Sequence, residues 1–131
     1  MSKEFKYVTK IYYEDTDAGG VVYYANYLKF LERARSEAIY SLGISNTEIL
    51  DKEGVIIIVK SCNIEYKKPA KFEDEIEVVS KISEVKNSSF KMLQVIKKKS
   101  EIISVAEVVL VTVNKKGKPV RIPSLLKKLI D

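Results

Sequence analysis

The residue types best suited to chemistry are concentrated in one short segment, with the sequence YYEDTDAGGVVYYANYL. Its three carboxylates and two adjacent glycines are Glu14, Asp15, Asp17, Gly19 and Gly20. A carboxylate can act as a nucleophile or as a general base, and glycine lets a ligand approach the backbone closely. Residues 12–28 are therefore the first place to look for a functional site.

Two interpretations of this segment need no catalysis. In the first, the aspartates bond their own backbone in an acidic, flexible turn. In the second, D-x-D-x-x-G opens a calcium loop, but Gly19 and Asn26 then stand where an oxygen ligand and the closing bidentate Glu belong, and no helix precedes. The turn remains an open alternative, whereas no metal site is predicted.

A third interpretation is catalytic. Free N–H groups at the start of a following helix form a positive pole that can hold a developing oxyanion. A carboxylate fixed opposite that pole could attack a carbonyl carbon or deprotonate a water molecule. Because a carboxylate is a weak nucleophile, an activated acyl group such as a thioester suits this arrangement better than an amide.

The complete absence of histidine narrows the chemistry further. Ser-His-Asp and Cys-His systems have no base, and a catalytic zinc built on imidazoles has no ligands. Any reaction must therefore use carboxylates, hydroxyls, amines or backbone groups.

One long helix is predicted directly after the acidic segment. Apolar residues recur there at three- and four-residue steps: Leu28, Leu31, Ala34, Ala38 and Leu42. Asn26 is the expected N-cap and Gly43 the expected stop. Ser45 and Glu48 have the spacing of a capping box, which predicts a short second helix before Gly54.

The remainder of the chain is typical of β-strands. Segments rich in β-branched and aliphatic residues are 4–13, 55–66, 75–85, 89–98 and 102–113, and residues 124–130 suit a last short helix. The later connections are too short for parallel crossovers, so these strands should be antiparallel. The predicted fold class is α+β, a single domain over residues 1–131 with a curved antiparallel sheet wrapped around one central helix.

Charge and composition limit the possible partners. The formal net charge is +5, and the excess of lysine lies in the second half of the chain. Solvated lysines on strand ends are the simplest interpretation; a phosphorylated small ligand is a second, and nucleic-acid binding rests on charge alone and is not our expectation. No apolar run approaches the ~20 residues of a membrane span, so we expect a cytoplasmic protein without a membrane segment.

Cys62 is the only cysteine, so it cannot form an internal disulfide. Its place in a predicted strand, without any histidine to activate it, indicates a buried structural thiol rather than a nucleophile.

Three segments together resemble a known family. They are YYEDTDAGGVVYYANYLKFLERAR, VIIIVKSCNIEYKKPAKFEDEIEV and LVTVNKKGKPVRIP, which cover most of the chain. They are similar to the hotdog-fold acyl-CoA thioesterases, specifically the YbgC type and its relative hydroxybenzoyl-CoA thioesterase. The resemblance implies a hotdog fold and acyl-CoA hydrolysis without a cofactor. It also implies a homo-oligomer in which two chains pair helix against helix into a dimer, or two such dimers form a homotetramer, with the active site shared between subunits.

The resemblance also assigns roles to two residues. The second Asp of D-T-D falls on Asp17, which would act as nucleophile or general base on the thioester carbonyl. The oxyanion site would be formed by backbone N–H near Tyr24. YbgC-type members usually carry histidine at that position, whereas the hydroxybenzoyl-CoA branch can carry tyrosine, so Tyr24 acts either through its backbone or through its side chain.

Further residues are candidates for binding the substrate. Around the acidic segment they are Gly19, Gly20, Tyr13, Tyr23 and Tyr27, where the tyrosines either wall an acyl pocket or belong to the core. In relatives, basic residues in the turn before a Ser-Phe pair help to hold the CoA nucleotide, which here implies Lys86 and, further along, Lys91. The rival function is a non-catalytic module that binds acyl-CoA or acyl-carrier protein in the same pocket.

Overall fold

A five-stranded antiparallel sheet organises the fold in the computed structural model, which describes residues 3–130. Its strands are β1 (Glu4–Lys10), β2 (Ile56–Tyr66), β3 (Glu75–Val85), β4 (Ser89–Lys98) and β5 (Glu101–Val113). Their order across the sheet is β1-β3-β4-β5-β2, and every neighbouring pair is antiparallel. The short connections of the second half therefore join antiparallel neighbours, as predicted.

The helices are α1 (Asn26–Tyr40), α2 (Asn46–Glu53) and α3 (Lys127–Ile130), with single 3-10 turns at Tyr13–Asp15 and Ser124–Leu126. Helix α1 buries one stripe of side chains in the core: Tyr27, Phe30, Leu31, Ala34, Ala38 and Ile39. The facing sheet alternates buried and half-buried residues along most of β3 and β4, which is the pattern of a sheet with one covered face. The predicted α+β class, with a sheet wrapped around one long helix, is confirmed.

A network of hydrogen bonds joins the middle of α1 to the sheet. Gln94, fully buried on β4, donates to the Leu31 carbonyl at 3.0 Å and to the Ser80 hydroxyl at 2.9 Å, and its own carbonyl accepts from Arg35 at 3.0 Å. A buried amide with these partners fixes the helix over the sheet, because any displacement would leave polar groups unpaired.

Strand β2 lies at the edge of the sheet and pairs only with β5. All of its side chains are half-buried or exposed, including Ile56, Ile58 and Val59. Its pairing shifts register between Val59 and Ser61, so Lys60 forms a β-bulge. The prediction of a buried Cys62 is wrong: the apolar run suggested a central strand, but at this edge the thiol is exposed.

The ends of the helices match the sequence signals in one case and depart from them in another. The Ser45 hydroxyl accepts the Glu48 N–H at 3.1 Å, and Gly54 ends α2 in the left-handed conformation, as predicted. Asn26, however, is the first residue of α1 and not its cap, because its side chain turns back to a neighbouring loop. No helix within residues 3–130 is long and apolar enough to cross a membrane.

Candidate active site

The loop between β1 and α1 is a tight turn centred on Asp17. The Asp17 N–H donates to the Val21 carbonyl at 2.9 Å, and the Gly20 N–H donates to the Asp17 carbonyl at 3.1 Å. Gly20 has a φ of +80°, which favours glycine. A side chain on Gly19 would place its Cβ 3.3 Å from Asp17 Oδ1, so this position is also crowded.

The three carboxylates of the loop have different surroundings. Glu14 is exposed, while Asp15 is only 4% exposed and accepts the Tyr12 N–H at 2.9 Å. Asp17 is exposed, and its Oδ1 accepts the Gly19 N–H at 2.8 Å. This bond is the local backbone contact that the acidic-turn interpretation expected. Within residues 3–130, Asp17 Oδ2 makes no hydrogen bond.

Asp17 lies on a cleft of about 430 Å³ at the start of α1. The lining residues are Asp17, Val21, Val22, Tyr23, Tyr24, Tyr27, Tyr66, Lys67, Lys68 and Pro69. Four of the predicted site residues are thus brought together, and the cleft combines one carboxylate with aromatic walls and two lysines. Neither Glu14 nor Asp15 lines it.

The start of α1 supplies unpaired backbone donors to the same place. Within the described part of the chain, neither the Tyr24 N–H nor the Ala25 N–H donates a hydrogen bond, whereas the Tyr23 N–H reaches the Asp15 carbonyl at 3.3 Å. Free N–H groups at the positive end of a helix can stabilise a developing oxyanion. The cleft is therefore lined by one carboxylate and by Tyr24, whose backbone N–H is free within the described residues.

An aromatic cluster forms one wall of the cleft. The ring of Tyr66 lies 4.7 Å from that of Tyr24 and 5.3 Å from that of Tyr27, and its hydroxyl donates to the Tyr24 carbonyl at 3.3 Å. The buried Tyr27 hydroxyl accepts the Ala70 N–H at 3.0 Å. Burial raises the pKa of both Tyr27 and Tyr66, so the two phenols stay protonated near neutral pH and do not act as bases.

The sequence predicts a strand that ends at Tyr66 but gives no indication that this residue lines the cleft. The available signal was a tyrosine at the end of that strand, followed directly by Lys67, Lys68 and Pro69. These residues form the turn that faces the start of α1, and the antiparallel pairing that brings them there is not visible in local periodicity.

Other predicted residues lie beside the cleft or away from it. Tyr23 lines the cleft, and Gly19 and Gly20 shape the turn behind Asp17 without lining it. Tyr13 also lies outside the lining, where its ring stacks on Phe72 at 4.5 Å.

Lys86 and Lys91 line a separate groove of about 220 Å³. Lys60, from the bulge in β2, lies in the same groove, and Lys91 forms a 3.8 Å ion pair with Glu107. Ser61, also in the groove, and Tyr66, in the cleft, are five residues apart on β2, or about 17 Å at ~3.3 Å per residue. One chain thus presents its predicted nucleotide lysines well away from Asp17.

Two other cations are closer to the carboxylate. Lys67 and Lys68 line the cleft itself, paired with Glu65 at 3.5 Å and Glu101 at 2.6 Å. No group of three or more His, Cys, Asp or Glu side chains in the described residues is arranged to hold a metal ion.

Comparison with known proteins places these features in a family. Residues 12–130 match the family model of the thioesterase-like superfamily. The chain is 38% identical over 128 residues to an acyl-CoA thioesterase YbgC of Haemophilus influenzae, covering 97% of this chain and 94% of that one.

Solved structures agree with this match. A probable thioesterase from Bartonella henselae has a TM-score of 0.87 at 31% identity, covering 92% of this chain and 100% of that one. BH1999, a gentisyl-coenzyme A thioesterase, has a TM-score of 0.85 at 28% identity, covering 93% and 98% of the two chains. The chain therefore belongs to the thioesterase-like superfamily, and the predicted membership of the YbgC-type hotdog thioesterases is confirmed.

Proposed function

We propose that this chain hydrolyses an acyl-CoA thioester to a free acid and CoA, with Asp17 as the reacting carboxylate. The observation that carries the proposal is the single cleft in which Asp17 lies beside the unpaired N–H groups at the start of α1. The names of the similar proteins, an acyl-CoA thioesterase and a gentisyl-coenzyme A thioesterase, support CoA thioesters as the substrate class.

Two routes are consistent with this arrangement. In the nucleophilic route, an Asp17 oxygen bonds to the thioester carbon, the C–S bond breaks, the CoA thiolate takes a proton from water, and a second water hydrolyses the mixed anhydride. In the general-base route, Asp17 takes a proton from a water whose oxygen bonds to that carbon, and the proton then passes to the leaving sulfur. In both, backbone N–H groups hold the charge on the carbonyl oxygen.

The backbone of Tyr24 is the better candidate for the oxyanion site than its side chain. Its ring packs against Tyr66, while its N–H is free of any acceptor within residues 3–130. The Gly19 N–H on Oδ1 orients Asp17 and leaves Oδ2 as the oxygen available to react or to accept a proton.

The direct test is release of free thiol from short, long and aromatic acyl-CoAs by wild type and Asp17→Asn. We expect turnover of at least one acyl group by the wild type and a fall in kcat of about 100-fold or more in the variant. Full activity in Asp17→Asn would refute the role of this residue. Tight binding of acyl-CoA, or of an acyl-carrier protein thioester, without any turnover would instead favour the non-catalytic module.

Hydrolysis in water enriched in ¹⁸O separates the two routes. In a single turnover with excess enzyme, the nucleophilic route labels Asp17 if water attacks the aspartyl carbon. If water attacks the acyl carbon instead, this route is recognised by thiol that is released before the free acid. The general-base route gives thiol and labelled acid together and leaves Asp17 unlabelled.

We also propose that two chains form a dimer along the free edge of β2, in place of the helix-against-helix pairing that the resemblance implied. This edge carries exposed apolar side chains, and an antiparallel partner strand would satisfy its unpaired backbone groups. Antiparallel pairing brings the part of the sheet with Lys86 and Lys91 in one chain towards the Tyr66 end of β2 in the other. Lys86 and Lys91 of one subunit would then bind the CoA phosphates of a thioester held at Asp17 of its partner, which makes the site shared.

The single cysteine offers a test of this dimer. Cys62 is close to the middle of β2, so two copies approach one another in an antiparallel pair. A short bis-maleimide should give a covalent dimer from wild type and none from Cys62→Ser. Light scattering gives the mass in solution, where a monomer would refute the proposal and a tetramer would indicate a second interface between dimers.

A further inference from the structure

We propose that Asn26 and Asp15 are positioning residues, which hold the Asp17 loop in place against the start of α1. This inference rests on the proposed function, because it concerns the alignment of Asp17 with the backbone donors at Tyr24. Neither residue lines the cleft, so neither is expected to touch the substrate.

The first contact is made by the Asn26 side chain. Its Nδ2 donates to the Asp15 carbonyl at 2.7 Å, across eleven residues of sequence. The same carbonyl accepts the Tyr23 N–H at 3.3 Å, so two donors from the start of the helix converge on one loop oxygen. Asn26 does not cap α1, and the hydrogen bond to the loop is therefore the contact that accounts for its side chain.

The second contact is made by the Asp15 carboxylate. It is 4% exposed, and its Oδ1 lies 3.5 Å from the Nζ of Lys29, one turn along α1 from Asn26. Its Oδ2 accepts the Tyr12 N–H at 2.9 Å. Asp15 therefore joins the strand side of the loop to the helix, while Asp17 remains exposed two residues later.

The hydrogen bonds of Asp17 itself do not fix its position relative to the helix. They run to Gly19, Gly20 and Val21, all within the same turn. Misplacing a reacting group by about 1 Å can cost roughly 100-fold in rate. The register between this turn and the Tyr24 N–H thus depends on the contacts that Asp15 makes with α1.

The loop has separate anchors that should preserve the fold when Asn26 is changed. The Val22 N–H donates to the Ala70 carbonyl at 2.8 Å, and the Phe72 N–H donates to the Gly20 carbonyl at 3.2 Å. These bonds hold the far side of the loop to the turn before β3. Loss of the Asn26 contact is therefore expected to shift the loop without releasing it.

The test is a double-mutant cycle between Asn26→Ala and Asp17→Asn, with hydrolysis of one good acyl-CoA as the readout. Asn26→Ala alone should lower kcat about 10-fold or more and change KM less than about threefold. In the Asp17→Asn background it should cause little further loss, because there is no longer a reactive carboxylate to align. Arg33→Ala, on the exposed side of the same helix, is the matched control.

Equal losses from Asn26→Ala in both backgrounds, or an unchanged kcat, would overturn the inference. If Asp17→Asn kept full activity, the proposed function would fail instead, so the two failures are distinguishable. Should the doubly substituted chain be too slow to measure, Asn26→Gln and Asn26→Asp decide the matter. Gln keeps the donor and should retain more kcat than Asp, which keeps the size but removes the donor; the reverse order would refute positioning.

Discussion

The two ends of strand β2 are built in different ways. At the cleft end, Tyr66 packs against two other tyrosines, and the facing loop is held by short hydrogen bonds and by a buried carboxylate. Towards the other end, Lys86 and Lys91 line an open groove that reaches Lys60, near the middle of β2. A lysine provides a point charge on a flexible stem, whereas a hydrogen-bonded turn fixes an atom. Geometry is therefore constrained where we propose that a bond is broken, and it is looser where a ligand's charge is to be neutralised.

The largest expected effect tests whether the chemistry belongs to the cleft end alone. Asp17→Asn should lower kcat by a similar factor, about 100-fold or more, for an acyl-CoA and for the corresponding acyl-pantetheine, which lacks the nucleotide. Both rates are measured by release of free thiol. A loss confined to the CoA substrate would show that Asp17 acts through nucleotide binding and would remove the contrast between the two ends.

The second prediction concerns the rigidity of the aromatic wall. Tyr27→Phe removes the acceptor for the buried Ala70 N–H, and an unsatisfied buried donor costs about 1–3 kcal/mol. Urea denaturation should show this decrease in the free energy of unfolding. Tyr40→Phe is the control, because Tyr40 is half exposed and its hydroxyl has no partner in the described part of the chain. Equal effects from both variants would contradict the structural role given to Tyr27.

The third prediction concerns the groove lined by Lys86 and Lys91. Replacing Lys86 and Lys91 together by Gln should raise KM for an acyl-CoA about 3- to 10-fold at low salt, with a smaller effect as screening increases. KM for acyl-pantetheine should change less than about twofold. The matched control replaces Lys115 and Lys116, two exposed lysines outside the groove.

The same assay with Gln at Lys67 and Lys68 provides the contrasting arm. These lysines line the cleft and are already paired with carboxylates, so we expect a smaller change in KM for acyl-CoA than at the groove. A larger change would place the phosphates over the cleft and would overturn the assignment of Lys86 and Lys91.

The smallest expected effect is a dependence of stability on acid. Although burial alone would raise the pKa of Asp74, hydrogen bonds from Lys98 and from the Lys71 N–H outweigh it and lower the pKa. A lowered pKa gives stability that is present above the unfolded value and is lost as pH falls through the folded value. Asp74→Asn should therefore be slightly less stable at pH 7 and should lose less stability than wild type below about pH 4.

This last variant also bears on the comparison between the two ends. Asp74 holds the turn that contains Lys71, and Lys71 forms an isolated bridge with Val21 of the Asp17 loop. Acid unfolding followed by circular dichroism gives the stability. Parallel curves for wild type and Asp74→Asn would show that this carboxylate contributes nothing to the acid response.

Local patterns predicted the elements well because their causes are local. The strands from residue 75 onwards follow from their content of β-branched and aliphatic residues, and the cap at Ser45 follows from side-chain chemistry within a few residues. The first strand ends at Lys10 and not at Tyr13 as predicted, and Tyr13 begins a 3-10 turn that extends to Asp15.

The arrangement of the site depended on contacts that the sequence does not display. Periodicity could not separate buried Asp15 from exposed Asp17, and it treated Asn26 as a cap because the partner of its side chain is eleven residues away. Resemblance to a family singled out Asp17, and its role stays a prediction. Cys62 was misplaced because the position of a strand within a sheet is set by long-range pairing.

The bulge at Lys60 has a consequence for how this protein behaves in a crowded solution. A free strand edge can recruit almost any extended peptide, which is how many folded proteins begin to aggregate. Here the regular spacing of backbone donors and acceptors is interrupted near the middle of β2, and a positive charge stands at the interruption. A peptide of arbitrary sequence could pair along the whole edge only if its own regular series of backbone hydrogen bonds were interrupted at the same place. The strand along which we propose that two copies pair is thereby a poor template for unrelated chains.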